Sequence, residues 1–313
     1  MTSRHRDLLL LAGGLAGFGI LMLLALLSLA RMSGGYVGLV QIEGVLLEDR
    51  TAVKQLHRLR DHPRVKAVVI HLNTPGGTLA SAQSIAEEIS KLRRSGIPVV
   101  ASMAEICASA GYFISCAADR SLAAPGSITG SIGAILRYPE AGELMRKIGV
   151  RMEVVKSGDY KDMGDFSRPL TASEKRLLQD MLDDLHAQFV DMVLNARGDK
   201  LAAALAKKRG VQLTDLAPEE VKAELLGLAD GRVFSGRQAQ ALGLVDQLGN
   251  LDDAVETAAR LAGLRGKPRV WREKPPSLWQ QWLQASPWSG GSRSTDWRLD
   301  AIKAWLRQWL QAL

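Results

Sequence analysis

Residues 65–77 read Val65-Lys66-Ala67-Val68-Val69-Ile70-His71-Leu72-Asn73-Thr74-Pro75-Gly76-Gly77. The run Val65–Leu72 is a near-continuous apolar strand that feeds directly into a Pro-Gly-Gly turn. A strand apolar on both faces must be covered on both faces, which is the mark of a parallel sheet with helical crossovers. The same pattern repeats on either side. Tyr36–Leu47 reads as a strand with a turn at Gly44, and Thr51–Arg60 as a helix. Leu79–Arg94 is an amphipathic helix with Ile85, Ile89 and Leu92 on one face, followed by a buried strand over Pro98–Met103 and a helix from about Ser109. Met152–Val155 is strand-like. Thr171–Arg197 reads as one long helix with a stripe of Leu177, Met181, Leu185 and Val193, and Leu251–Ala262 closes the compact region. This alternation predicts an α/β fold of largely parallel sheets with flanking helices. No internal repeat of useful length is present.

The chain has 313 residues, 47% of them hydrophobic and 23% charged, so it can bury a core and is neither disordered nor a disulfide scaffold. Its net charge of +7 would suggest nucleic acid, but no basic stripe interleaved with aromatics runs through the central chain. No nucleic-acid partner is expected, and the charge reads as membrane-related. Residues 8–30 (LLLLAGGLAGFGILMLLALLSLA) carry no charge, and a helix of that length is about 35 Å long, enough to cross a hydrocarbon core of about 30 Å. Arg4 and Arg6 precede it, so the positive-inside rule places residues 1–7 in the cytoplasm and the chain after Arg31 outside. The competing reading is a cleaved signal peptide ending at Ser28-Leu29-Ala30, although the apolar run is longer than a usual signal core. Gly13 and Gly17 form a weak GxxxG packing signal, and Ser33-Gly34-Gly35 is a short hinge.

Three glycine- and serine-rich turns stand where strands end, the place where open α/β folds put their sites. After Val65–Leu72 comes Asn73-Thr74-Pro75-Gly76-Gly77, whose glycines let backbone N–H groups turn towards a developing oxyanion; an ordinary strand-to-helix turn uses the same residues. After Pro98–Met103 comes Cys107-Ala108-Ser109-Ala110-Gly111-Tyr112. Ser109 is there either a helix N-cap or a nucleophile whose helix supplies the N–H of Ala110. The third turn is Ser127-Ile128-Thr129-Gly130-Ser131-Ile132-Gly133, whose hydroxyls serve either turn chemistry or the orientation of a base.

A serine nucleophile requires a base. Of five histidines, His5 falls on the far side of the membrane, His57 and His62 bracket a helix end, and His186 sits in the long helix. His71 alone is near the Pro-Gly-Gly turn, so a Ser–His–Asp triad is poorly supported. The alternative is a lysine in Lys156-Ser157-Gly158-Asp159-Tyr160-Lys161-Asp162. Such a lysine must be neutral, and lowering its pKa from about 10.4 to about 7–8 by burial costs roughly 4 kcal/mol. A solvated surface lysine is the simpler reading of either residue taken alone.

The NTPGG turn, the ASAGY serine, the TGSIG turn and the SGDYKD lysine nevertheless stand in the order and spacing of the SppA-type signal peptide peptidases. A fifth stretch, Asp230–Gly249 (DGRVFSGRQAQALGLVDQLG), resembles the closing motif of that family almost without gaps. The similarity covers about residues 36–264. It implies a ClpP/crotonase-like fold carried on one N-terminal transmembrane helix, and a serine protease with a Ser–Lys dyad. Ser109 is then the nucleophile, Lys161 the general base and Ser131 the hydroxyl that orients the lysine. Backbone N–H groups of Gly76, Gly77 and Ala110 form the oxyanion hole, and no metal or other cofactor is needed. Lys156 precedes the Gly-Asp-Tyr step that the family lysine follows. Two departures stand out: Thr74 replaces the family's usual Ser, and Ala110 replaces its usual Gly. If residue 110 needs φ > 0, alanine costs about 1 kcal/mol or more; if it begins a helix, alanine is harmless.

The resemblance further implies hydrophobic peptides in or near the membrane as substrates, signal-peptide remnants among them, and a homo-oligomeric ring or dome whose dyad is supplied either by one chain or by two neighbouring subunits. It implies a single-pass protein of the inner (plasma) membrane with its catalytic domain outside. The expected organisation is a cytoplasmic segment 1–7, an anchor 8–30, a peptidase domain 36–264 and a tail 265–313. The rivals are a catalytically inactive membrane scaffold of the same fold and a crotonase-like acyl-CoA enzyme, which is not expected behind a membrane anchor.

Cys107 and Cys116 flank Ser109, either as a disulfide or as small buried thiols, the latter preferred. All seven tryptophans follow residue 270. Asp296–Leu313 reads as an amphipathic helix with Ile302, Trp305, Leu306, Trp309, Leu310 and Leu313 on one side, suited to a lipid interface or to packing on a subunit, with Ser289–Ser294 as a flexible joint.

Overall fold

The computed structural model describes residues 34–272 together with Met22. The expected anchor (8–30, Met22 aside) and the Trp-rich amphipathic tail lie outside the described residues. Among the described residues no helix is long and apolar enough to cross a membrane.

In chain order the elements are β1 (Tyr36–Glu43), α1 (Arg50–Asp61), β2 (Val65–Thr74), α2 (Leu79–Arg94), β3 (Val99–Ala108), α3 (Ala110–Cys116), β4 (Arg120–Ala123), β5 (Ile128–Gly130), α4 (Gly142–Lys147), α5 (Ala172–Arg209), a short 3-10 turn (Leu213–Asp215), α6 (Pro218–Leu228), β6 (Val233–Ser235), α7 (Gly236–Ala241), β7 (Gln247–Leu248), α8 (Leu251–Leu261) and β8 (Arg269–Arg272). The strands form one sheet in the order β6-β5-β3-β2-β1-β8, with β4 and β7 branching from β3. Every pairing is parallel except β5 with β6.

Both faces of the central strands are covered, as their apolar runs require. Val37, Leu39, Ala67, Val69 and Val100 pack under α8 through Ala254, Val255, Ala258 and Ala259. Val68, Ile70 and Leu72 face the opposite layer, which holds Leu56 and Leu59 of α1, Ile85 and Ile89 of α2, and Tyr112 and Phe113 of α3. Thr78 caps α2 by accepting the Ser81 N–H, and a Thr171–Glu174 capping box starts α5.

The branch at β3 explains how one strand serves two neighbours. Val100–Met103 pairs with β4, and Ile106–Ala108 pairs with β5. Between them the register against β2 shifts after Leu72, and the Asn73 side-chain carbonyl accepts the Ile106 N–H at 3.3 Å.

Three features differ from the expectation. Met152–Val155 has no strand partner and lies exposed, with Val155 97% accessible. The long helix runs on to Arg209, where Gly210 ends it at φ 69°. The compact unit extends to Arg272: Arg269–Arg272 pairs with β1, and Trp271 lies against His62 at 5.3 Å between ring centroids.

Candidate active site

The strand registers assemble the three turns. Thr74 of β2 pairs with Cys107 of β3, and Cys107 pairs with Thr129 of β5. Because these strands are parallel, their carboxyl ends coincide, and the residues just beyond them (Pro75–Gly77, Ser109 and Ser131) emerge at one edge.

Ser109 makes the turn from β3 into α3 at φ 51°, ψ −120°. A side chain held in such a conformation costs on the order of 1–3 kcal/mol and persists only where its surroundings fix it. The Ser109 N–H donates to the Gly130 carbonyl at 2.9 Å, and the Ser109 carbonyl accepts the Phe113 N–H at 3.0 Å. Although Ser109 occupies the N-cap position, its hydroxyl makes no capping bond. The hydroxyl is half-buried and, among the described residues, has no hydrogen-bond partner.

Gly76 packs directly against this serine. A Cβ placed on Gly76 would lie 2.8 Å from Ser109 Cβ and 3.2 Å from Ser109 Oγ, and its φ is +132°. At Gly77 a Cβ would fall 2.0 Å from the Leu46 carbonyl oxygen, because Leu46 pairs with this turn. Glycine is needed at both positions by close approach.

The three expected oxyanion donors do not stand alike. The Gly76 N–H donates to Thr74 Oγ1 at 3.1 Å. Among the described residues, the N–H groups of Gly77 and Ala110 meet no acceptor. Ala110 is the first residue of α3 and does not have positive φ, so alanine there is not strained.

In the third turn, Ser127 Oγ donates to the Ala104 carbonyl at 2.6 Å and Thr129 Oγ1 to the Cys107 carbonyl at 2.7 Å. Both hydroxyls are consumed in tying β5 to β3. Among the described residues Ser131, at φ 52°, has no partner for its hydroxyl, while its N–H donates to the Arg232 carbonyl at 2.9 Å.

That last bond gives the Asp230–Gly249 stretch its physical role. The Asp230 carboxylate holds the Arg232 N–H and guanidinium, Val233–Ser235 pairs with β5, and the Leu244 carbonyl accepts the Tyr112 hydroxyl at 3.0 Å. Asp246 meets the buried Arg197 guanidinium at 2.7 Å and the Ser121 N–H at 2.7 Å. The stretch thus braces both Ser131 and the helix behind Ser109.

His57, His62, His71 and His186, the described histidines, are engaged elsewhere. His71 Nδ1 shares a hydrogen bond with Ser102 Oγ at 3.2 Å, and burial lowers its pKa. His57 meets Glu88 at 2.8 Å, His62 Nδ1 accepts the Arg64 N–H, and His186 bonds the Ala229 carbonyl. None reaches Ser109.

The two lysines of the SGDYKD segment differ. Lys156 Nζ donates to Asp162 Oδ1 at 2.6 Å and to the Asp159 carbonyl at 2.8 Å. Lys161 is exposed, and among the described residues its amine has neither a hydrogen bond nor a carboxylate partner. No bond joins it to Ser109 or Ser131 within the chain.

Cys107 and Cys116 are free and fully buried, and burial pushes both thiols up, away from reactivity. Among the described residues no cluster of His, Cys, Asp or Glu could hold a metal ion. The carbonyls that fix the two serines, those of Gly130 and Arg232, are not legible in the sequence. Backbone acceptors carry no signature in residue identity.

The parallel strand ends thus gather an unbonded serine, a helix N-terminus and a Gly-Gly turn into one candidate site. Comparison with known proteins assigns it further: Peptidase family S49 matches residues 91–265. The chain is 38% identical over 226 residues to "Putative protease slr0021" of Synechocystis sp., covering 72% of this chain and 74% of that protein. It is 31% identical over 242 residues to "Protease 4" of Salmonella typhi, covering 74% of this chain but 36% of that protein. It is 28% identical over 251 residues to "Putative signal peptide peptidase SppA" of Enterococcus faecium, covering 79% of this chain and 67% of that protein. The chain belongs to peptidase family S49 and is of the SppA type.

Proposed function

We propose that the protein is a membrane-anchored serine endopeptidase that hydrolyses hydrophobic peptides, with Ser109 as nucleophile and Lys161 as general base. The observation that carries this reading is the unbonded Ser109 hydroxyl, held at positive φ beside the free N–H groups of Gly77 and Ala110. A donor aimed where negative charge develops is worth about 10²–10³ in rate. The engaged Gly76 N–H leaves Gly76 the part of making room for Ser109.

In the reaction, the neutral Lys161 amine takes the Ser109 hydroxyl proton as Oγ bonds to the substrate carbonyl carbon. The oxyanion rests on the N–H groups of Gly77 and Ala110. When the C–N bond breaks, the lysine ammonium returns its proton to the leaving amine. Water, losing a proton to the same lysine, attacks the acyl-serine; the carboxylic acid departs and Ser109 recovers its proton. Ser131, with its hydroxyl uncommitted, orients the lysine.

An exposed lysine is a poor base, so Lys161 needs a covering that the described residues do not provide. A second copy of the chain is the covering we favour. The segment leading to Lys161 exposes Ile135, Leu144, Ile148 and Val155, by 71, 61, 66 and 97% respectively. So many apolar side chains left in water on one stretch favour a contact surface. A homo-oligomer with Ser109 from one subunit and Lys161 from the next accounts for both facts. Residues 8–30 would anchor it in the inner membrane with the catalytic domain outside.

The test is complementation. Ser109→Ala and Lys161→Ala chains, each inactive on a fluorogenic hydrophobic peptide, should regain activity when mixed and reassembled. No recovery despite mixed assembly would place the dyad within one chain. Activity in either variant alone would remove that residue from its role.

A further inference from the structure

The loop carrying Lys161 is held by charge on both of its flanks. Asp162, 11% exposed, takes Lys156 Nζ at 2.6 Å and the Arg168 guanidinium at 2.9 and 3.1 Å. Arg168 also donates to the Asp162 carbonyl at 3.3 Å. Its two terminal nitrogens grip both oxygens of Glu174, at 2.9 and 2.6 Å. Glu174, 3% exposed, accepts the Thr171 N–H at 2.8 Å, and the Thr171 hydroxyl accepts the Glu174 N–H at 3.2 Å. The chain of contacts Lys156–Asp162–Arg168–Glu174 therefore ends in the capping box of α5, whose later turns lie in the core through Val193, Arg197 and Leu201.

Within residues 156–168, Lys161 is the cation that this arrangement leaves without a carboxylate. The Asp162 carboxylate is adjacent in sequence, yet Lys156 and Arg168 occupy it. Hydrogen bonds from both cations hold that carboxyl well below the usual range, and bonds from Arg168 and the Thr171 N–H keep Glu174 at about 2, so both stay ionised at neutral pH. An amine paired to a carboxylate is held protonated and cannot act as a base. A bidentate arginine fixes the direction as well as the position of what it binds. The arrangement thus does two things at once: it fixes the main chain beside Lys161, and it keeps the nearest carboxylate away from its amine.

We infer that Asp162 and Arg168 are positioning residues for Lys161, an arginine–carboxylate clamp that anchors the base-bearing loop to the start of α5. The inference rests on Lys161 being the base. Lys156 is the outer and dispensable member, because Arg168 alone still holds Asp162.

The experiment uses the full-length chain and a fluorogenic hydrophobic peptide. Asp162→Asn and Arg168→Gln should each lower kcat by about 10- to 100-fold with KM within about twofold, the loss expected for a misplaced catalytic group. Arg168→Lys should recover part of that loss, and Lys156→Ala should cost no more than a few-fold. The decisive arm repeats Asp162→Asn in a Lys161→Ala background and reads the slow residual labelling of Ser109 by a fluorophosphonate probe, because that background does not turn over the peptide. A residue that acts through Lys161 adds no further loss there, whereas a merely structural one multiplies the defect. Full activity of Asp162→Asn would overturn the clamp, as would a loss that tracks a lowered unfolding temperature or is equally large without Lys161. Undiminished activity in Lys161→Ala itself would instead overturn the assignment of the base.

Discussion

Ser109 and Ser131 stand beside one another at the ends of neighbouring parallel strands, joined through the bond from the Ser109 N–H to the Gly130 carbonyl at 2.9 Å. They are the only described residues other than glycine with positive φ, at 51° and 52°. Neither hydroxyl is used to hold the fold, while Ser127 and Thr129 spend theirs on β3 carbonyls. Two strained serines with free hydroxyls on one edge is the arrangement expected where conformation is dictated by chemistry.

The two serines should therefore fail differently. Ser109→Ala should remove at least about a thousand-fold of the peptidase activity, as loss of a nucleophile does. Ser131→Ala should cost roughly 10- to 100-fold, the effect of a misdirected base, with KM little changed. Steady-state kinetics on the two variants, checked for equal assembly, measures this.

Gly76→Ala should abolish turnover while leaving the domain folded. The added methyl meets Ser109 Cβ at 2.8 Å at a φ of +132° that alanine does not tolerate. A fluorophosphonate probe should label the parent at Ser109 and the variant much more slowly. Equal labelling would show that the turn yields without disturbing the serine.

Thr74 is fully buried, and its hydroxyl accepts the Gly76 N–H. Thr74→Ser keeps the hydroxyl and should be close to neutral. Thr74→Val keeps the shape but strands a buried donor, which should cost about 1–3 kcal/mol. Chemical unfolding of the three proteins separates the cases.

Arg197 and Asp246 form a buried ion pair behind the nucleophile helix, with Lys200 and Ser121 completing it. Asp246→Ala should destabilise by about 3–5 kcal/mol, because it leaves the guanidinium buried and uncompensated. Burial raises the Asp246 carboxyl, but the charge and hydrogen bond of Arg197, with Lys200 and Ser121, outweigh it and hold the group at about 2 against an ordinary 3.8. A carboxyl depressed on folding stabilises above its unfolded value and loses that contribution as pH falls through its folded one. The stability gap between parent and Asp246→Asn should therefore be constant above about pH 4 and narrow towards pH 2, followed by urea unfolding.

Much of this was legible in the chain because the strongest signals are local. Leu79–Arg94 reads as an amphipathic helix from the spacing of Ile85, Ile89 and Leu92, and it forms with those bounds. The apolar run Val65–Leu72 announces a doubly covered strand, and it is buried on both faces. Met152–Val155 carries the same local signal and forms no strand, since a strand exists only if another lies beside it, which its own residues do not encode. The three turns could be named individually, but their convergence depends on the pairings Thr74–Cys107 and Cys107–Thr129, which span distant parts of the chain. In the sequence, resemblance alone separates Lys156 from Lys161. The physical distinction, one lysine spent on Asp162 and the other free, appears only once Arg168 and Glu174 are folded against them.

The most direct test of the account is peptide hydrolysis by the full-length chain, with Lys161→Ala and Lys156→Ala compared side by side. The account predicts that Lys161→Ala is inactive on a fluorogenic hydrophobic peptide and that Lys156→Ala stays within a few-fold of the parent. Full activity in Lys161→Ala, or no hydrolysis by a correctly assembled parent, would contradict it.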